Sequence, residues 1–112
     1  MKILVADDDN NIRKLLEIIL EEHEYTFEIT KNGEEAMAAF AAKSFDLVLT
    51  DINMPGRDGN ALVQFVKSSN RPVAVVALTG EVEKASELFD LVLSKPIRKQ
   101  ELISTINRLI PT

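Results

Sequence analysis

Lys2-Ile3-Leu4-Val5-Ala6-Asp7-Asp8-Asp9 passes from an apolar run straight into three carboxylates, and the same kind of break recurs further along the chain. Leu47-Val48-Leu49-Thr50 breaks into Asp51, Val73-Ala74-Val75-Val76-Ala77-Leu78 into Thr79, and Leu91-Val92-Leu93-Ser94 into Lys95-Pro96. Apolar runs of about four to six residues between polar segments read as strands buried on both faces, the habit of a parallel sheet. The carboxylates, the hydroxyl and the lysine then leave at one edge of that sheet, where open α/β sheets bind ligands.

Helical patterns fill the intervals. Ile12, Leu15, Leu16 and Ile19 keep the spacing of a core-facing stripe, with Asn10 as N-cap and Arg13, Lys14, Glu17 and Glu21 turned to solvent. Tyr25 to Thr30 forms a second strand whose apolar residues alternate, which puts it at a sheet edge. Asn32-Gly33 turns into a helix from Glu34 to Ala42 with Met37 and Phe40 inward, and a third helix runs from about Asp58 to Ser69, with Ala61, Leu62, Phe65 and Val66 on its core face. Glu81 to Leu88 reads as a short fourth helix, and Leu102, Ile103, Ile106, Leu109 and Ile110 stripe a fifth that Pro111 stops. Five βα units with short connections imply an α/β fold: one doubly wound, five-stranded parallel sheet with right-handed crossovers. In the flavodoxin-like strand order 2-1-3-4-5, strands 1 and 3 are neighbours, and Asp7 and Asp8 face Asp51 across the switch point.

The 112 residues make one domain, 1–112, without repeat or linker. The absence of cysteine excludes disulfides, thiolate nucleophiles and Cys-ligated metals. The one apolar run after Met1 is too short and too soon acidic for a signal peptide or membrane span, so the expectation is a cytoplasmic protein without a membrane partner. Eighteen acids against thirteen Lys and Arg, net −5, disfavour nucleic acid and suit protein partners or cations.

Three carboxylates in one place repel one another, and at neutral pH either one is protonated or a cation sits among them. An all-oxygen set of this kind suits Mg²⁺ or Mn²⁺. Asp51, alone at its strand end, is the natural nucleophile or acceptor, and Asp7 and Asp8 are the natural metal holders. Lys95 can neutralise an oxyanion near Asp51, and the Thr79 hydroxyl can donate to another oxygen. These are the parts needed to stabilise a phosphoryl group in transfer.

At these residues the chain resembles the response-regulator receiver domains of two-component signalling, the CheY-like family. Ile3 to Asp9 with Arg13 is similar to the family's opening strand and acidic pair, and Leu49 to Gly56 with Asp58-Gly59 to its phosphoacceptor strand and loop. Ala77-Leu78-Thr79-Gly80 and Leu93-Ser94-Lys95-Pro96-Ile97 are similar to its switch-hydroxyl strand and lysine-proline corner. The resemblance implies that Asp51 takes phosphate from a sensor histidine kinase or a histidine phosphotransfer protein, with Lys95 and Thr79 assisting. It implies Mg²⁺ held by Asp7, Asp8, Asp51 and the Asn53 carbonyl, and a cis Lys95-Pro96 bond. By the same resemblance Asn53 and Glu81, two places after the acceptor and after the switch threonine, tune the lifetime of the phosphorylated state toward that of fast-resetting chemotaxis receivers.

Two features depart from the family's pattern. Lys95 comes only sixteen positions after Thr79, which shortens the fourth helix, and Val92 stands where many receivers carry a switch Tyr or Phe. The alternative is a phosphatase of the haloacid-dehalogenase type, with Asp7 as nucleophile and Asp9 as acid/base. It needs an acidic pair after the lysine, where the chain offers only Glu101, and it leaves Asp51 idle. Taken singly, Asp9 is a turn former or helix cap and His23 an exposed residue.

Overall fold

The structure is a computed structural model, described for residues 2–110. In chain order it runs β1 (Lys2–Ala6), α1 (Asn10–Glu22), β2 (Thr26–Thr30), α2 (Gly33–Ala42), β3 (Leu47–Thr50), α3 (Gly59–Lys67), β4 (Ala74–Thr79), a 3₁₀ turn (Val82–Lys84), β5 (Leu91–Ser94) and α4 (Lys99–Leu109). All strand pairs are parallel, in the order β2-β1-β3-β4-β5. The register aligns Thr30, Ala6, Thr50 and Ala77 across four strands. Asp7 and Asp51 follow Ala6 and Thr50 in the chain, so the two strands release their carboxylates side by side.

Side chains alternate along each strand and feed two cores. Leu4, Val48, Val75 and Ala77 pack with Ala36 and Phe40 of α2 and with Leu62, Val63 and Val66 of α3. Ile3, Val5, Leu47, Leu49, Val76 and Leu78 pack on the opposite face with Leu16, Ile19 and Leu20 of α1 and with Leu102 and Ile106 of α4. Truncation of one of these fully buried aliphatic residues costs about 2–5 kcal/mol, a large part of the stability of a domain this small.

Several boundaries differ from the sequence reading. Asp9, not Asn10, caps α1, its carboxylate accepting from the amides of Asn11 and Ile12 at 2.8 and 3.3 Å. The buried stripe of α1 is Leu16, Ile19 and Leu20, whereas Leu15 is 38% exposed. In α3 the stripe passes through Val63, so Phe65 sits on the flank, 39% exposed, with its ring edge-on to Phe40 across the α2–α3 groove. Met37 is half-buried in the same groove. The Pro111 stop lies outside the described residues, and the Lys95–Pro96 bond is cis.

The largest difference is at the expected fourth helix, of which only Val82–Lys84 is helical, as a 3₁₀ turn. Length explains this. A helix packed over the sheet lies roughly 10 Å from it, and climbing out and back takes about three residues each way. Of the ten residues from Glu81 to Asp90, room is left for a single turn. At Ala85 the backbone becomes extended, Glu87-Leu88 then make a further turn, and the segment is tied to α3. Asn60 donates from Nδ2 to the Lys84 carbonyl at 3.0 Å and accepts the Ser86 amide at 2.8 Å. At the far end Asp90 accepts from Lys67 Nζ at 2.6 Å and from the Val75 amide at 2.8 Å. β5 is correspondingly half-buried rather than buried on both faces, because it is a sheet edge without a full helix beside it.

Candidate functional site

β1 and β3 deliver the acidic cluster. The sheet ladder continues one residue past each strand, Asp7 donating its amide to Thr30 and Asp51 to Ala6, which fixes both Cα positions. Asp7 is then held from three sides: Oδ1 accepts the Asp9 amide at 2.9 Å, its carbonyl accepts from Arg13 Nη1 at 2.9 Å, and Oδ2 meets Lys95 Nζ at 3.2 Å. Asp51 accepts the Asn53 amide on Oδ1 at 3.2 Å and Lys95 Nζ on Oδ2 at 3.1 Å. A Cβ on Gly59, at the start of α3, would lie 2.1 Å from the Asp51 carbonyl, so glycine lets the helix abut the Asp51 backbone. Lys95 is anchored by its own amide on the Thr79 carbonyl at 2.9 Å, the last step of the β4–β5 pairing.

Asp7 is 1% exposed and Asp51 7%, whereas Asp8 is exposed. Burial raises the Asp7 carboxyl above its ordinary value, and Asp51 pushes in the same direction against the Asp9 amide and Lys95. Burial alone would lower Lys95, but Asp7 and Asp51 together outweigh it and leave its ammonium firmly charged.

Oxygens of Asp7, Asp8 and Asp51 lie within 4.8 Å of one another. Three carboxylates against one ammonium leave an excess of negative charge on hard oxygen donors, a set that fits Mg²⁺. Beside it opens a cleft of about 330 Å³ lined by Asp8, Ile52, Asn53, Met54, Pro55 and Asp58. Thr79 is fully buried, and its hydroxyl accepts the Glu81 amide at 2.9 Å.

Residues 3–107 match the family model described as response regulator receiver domain. The chain belongs to that family. Transcriptional regulatory protein ResD of Bacillus subtilis is 31% identical over 97% of this receiver and 48% of its own length. Response regulator protein PilR of Pseudomonas aeruginosa is 36% identical over 96% of the receiver and 26% of its own length. The receiver thus spans about half or less of these relatives. Among solved structures, response regulator protein TrrA of Thermotoga maritima in complex with Mg²⁺-BeF superposes with a TM-score of 0.90 at 32% identity, covering 97% of this chain and 98% of that one.

The family places the receiver in two-component signalling and removes the phosphatase alternative. The geometry agrees, since the Asp9 carboxylate that would serve as acid/base is spent on the N-terminus of α1. Asp7, Asp8, Asp51 and Lys95 form one cluster, and Asn53 joins it through its amide. Thr79 reaches the cluster through backbone, and Asn53 and Glu81 touch each other, Nδ2 to Oε1 at 2.8 Å. The sequence reading missed Lys84, which pairs with Glu81 Oε2 at 2.6 Å and lowers the Glu81 carboxyl below its ordinary value. The signal was there, an acid and a lysine three residues apart.

Proposed function

We propose that residues 1–112 act as one receiver domain in which Asp51 accepts a phosphoryl group from a sensor histidine kinase or a histidine phosphotransfer protein, and that the modified state changes partner binding. The observation that carries this is a lysine ammonium 3.2 and 3.1 Å from two buried carboxylates, Asp7 and Asp51, at the mouth of a parallel sheet. An Asp51 carboxylate oxygen forms the bond to phosphorus as the bond to the donor's imidazole nitrogen breaks, and the imidazole leaves with the bonding pair. Lys95, charged at any physiological pH, stays beside the oxygens that gain charge.

Asp7, Asp8, Asp51 and the Asn53 carbonyl would hold Mg²⁺, for which Mn²⁺ can substitute. Bound there, the ion would supply positive charge to neutralise phosphoryl oxygens. The Thr79 hydroxyl turns from the Glu81 amide toward the new phosphoryl group and reports its presence. Catalysis is limited to the domain's own phosphorylation and dephosphorylation. Asn53 and Glu81 set the rate of the second step, giving a phosphorylated state of seconds to minutes. No helix among the described residues is long and apolar enough to cross a membrane. The net charge of −5 supports protein partners rather than nucleic acid, and the proposed setting is the cytoplasm.

Intact mass after incubation with acetyl phosphate and Mg²⁺ tests the assignment. The wild type should gain one phosphoryl group and Asp51→Asn none; equal gain in both would remove Asp51 as acceptor.

A further inference from the structure

Asn53 lies in the loop after β3 and Glu81 directly after β4, and their side chains close on each other at 2.8 Å. Each end of this bridge leads back to the acceptor site. The Asn53 amide donates to Asp51 Oδ1 at 3.2 Å, and the Glu81 amide donates to Thr79 Oγ1 at 2.9 Å. The second Glu81 oxygen, Oε2, meets Lys84 Nζ at 2.6 Å. The carbonyl of Lys84 is in turn held by Asn60 of α3 at 3.0 Å. Asp51, Asn53, Glu81, Lys84 and Asn60 therefore form one continuous chain of contacts that runs from the acceptor to a rigid helix.

We infer that Lys84 is a positioning residue for loss of phosphate from Asp51, holding the Glu81 carboxylate against Asn53 beside the path that water takes to the phosphoryl group. The inference rests on the reading of Asp51 as acceptor and extends it to a residue outside the acidic site. A carboxylate offers about four lone-pair sites. Asn53 and Lys84 occupy one each, and the remainder can accept from a water. In hydrolysis the water oxygen bonds to phosphorus while the bond from phosphorus to the Asp51 oxygen breaks. The carboxylate leaves with the bonding pair, and the displaced proton ends on the released phosphate. Glu81 orients the attacking water, and Lys84 keeps Glu81 from wandering among its rotamers.

The side chains of Lys84 and Glu81 are 61% and 40% exposed, so their ion pair adds little to fold stability. Its effect is on direction. The anchoring also explains why the turn at Val82–Lys84 survives although the rest of the expected helix is lost: Asn60 holds its last carbonyl and Glu81 its lysine.

The test follows phosphate decay by intact mass after the full chain has been charged with acetyl phosphate and Mg²⁺ and the donor removed. Lys84→Met should lengthen the lifetime roughly threefold to fivefold, the scale that one exposed ion pair supports, and Lys84→Arg should restore it. Glu81→Ala should lengthen it at least as much. The double variant Glu81→Ala/Lys84→Met should decay no more slowly than Glu81→Ala alone, because the lysine acts through the glutamate. An unchanged lifetime in Lys84→Met, or additive effects in the double variant, would overturn the inference. A wild type that gains no phosphoryl mass would fail earlier and differently, removing Asp51 as acceptor and this role with it.

Discussion

Replacement of Asp7 by Asn should make the metal-free protein more stable at neutral pH. The Asp7 carboxylate is 1% exposed. It sits within 4.8 Å of Asp51 and Asp8 and 3.2 Å from Lys95. At an effective dielectric of about 20, repulsion from Asp51 at that separation is about 3.5 kcal/mol and attraction to Lys95 about 5 kcal/mol. Exposed Asp8 adds a smaller, screened repulsion, so the pairwise terms cancel to within about 1–2 kcal/mol. What remains uncompensated is the burial of an ionised carboxylate, the main reason that its pKa is raised. Asn keeps the shape and an oxygen for the Asp9 amide, and should stabilise by about 1–2 kcal/mol at pH 7, or several degrees in Tm. The sign follows from the direction of the shift. A carboxyl whose folded pKa lies above its unfolded value favours folding only while protonated. Its contribution is complete below the unfolded pKa and lost as pH rises through the folded one. The advantage of Asp7→Asn should therefore be present at pH 7 and vanish near pH 3. Urea titrations with a chelator at both pH values measure it. A variant less stable than wild type at pH 7, or equally advantaged at both, would refute the argument. Saturating Mg²⁺, at about a hundredfold over Kd, should stabilise the wild type by about 2.7 kcal/mol and Asp7→Asn by much less.

Lys95→Met leaves two inward carboxylates without their cation. With the lysine side chain 22% exposed, the expected loss is about 1–3 kcal/mol at pH 7, below the value for a fully buried pair, and it should shrink near pH 3 as the acids protonate. Thr79→Ala should still bind Mg²⁺ and accept phosphate but lose the response, read as smaller amide NMR shifts on phosphorylation than in wild type. Asn60→Ala cuts two tethers between α3 and the segment after β4, and should cost about 1–3 kcal/mol by thermal unfolding and speed hydrogen exchange at the Ser86 amide while acceptance of phosphate persists.

The sheet was legible because burial on both faces leaves a strong trace. β1, β3 and β4 are uninterrupted apolar runs, and β2 alternates because it lies at an edge. Helix faces were less legible, since periodicity fixes a stripe only to within one position. Leu15, one place before buried Leu16 in α1, and Phe65, one place before buried Val66 in α3, were read as core, while buried Leu20 and Val63 were left out, in helices whose flanks are also apolar. The cap of α1 was misplaced for a related reason: Asp9 and Asn10 both cap well, and only the extended backbone at Asp9 decides between them.

The segment between β4 and β5 was legible as a shortage and illegible as a structure. Sixteen positions from Thr79 to Lys95 announced a truncated helix, but helical pattern in Glu81 to Leu88 competed with a constraint that pattern does not carry, the distance the chain must cover. Reach won, and a polar side chain finished the job, with Asn60 satisfying the Lys84 carbonyl and the Ser86 amide, backbone groups that a helix would have satisfied itself. The same competition accounts for the site. Asp7, Asp8, Asp51 and Lys95 were readable because strand ends in a parallel sheet have one geometry. The pairing of Glu81 with Lys84 was readable as an acid and a lysine three residues apart, whereas the closing of Glu81 on Asn53 joins two separate loops, and no periodicity in the chain encodes it.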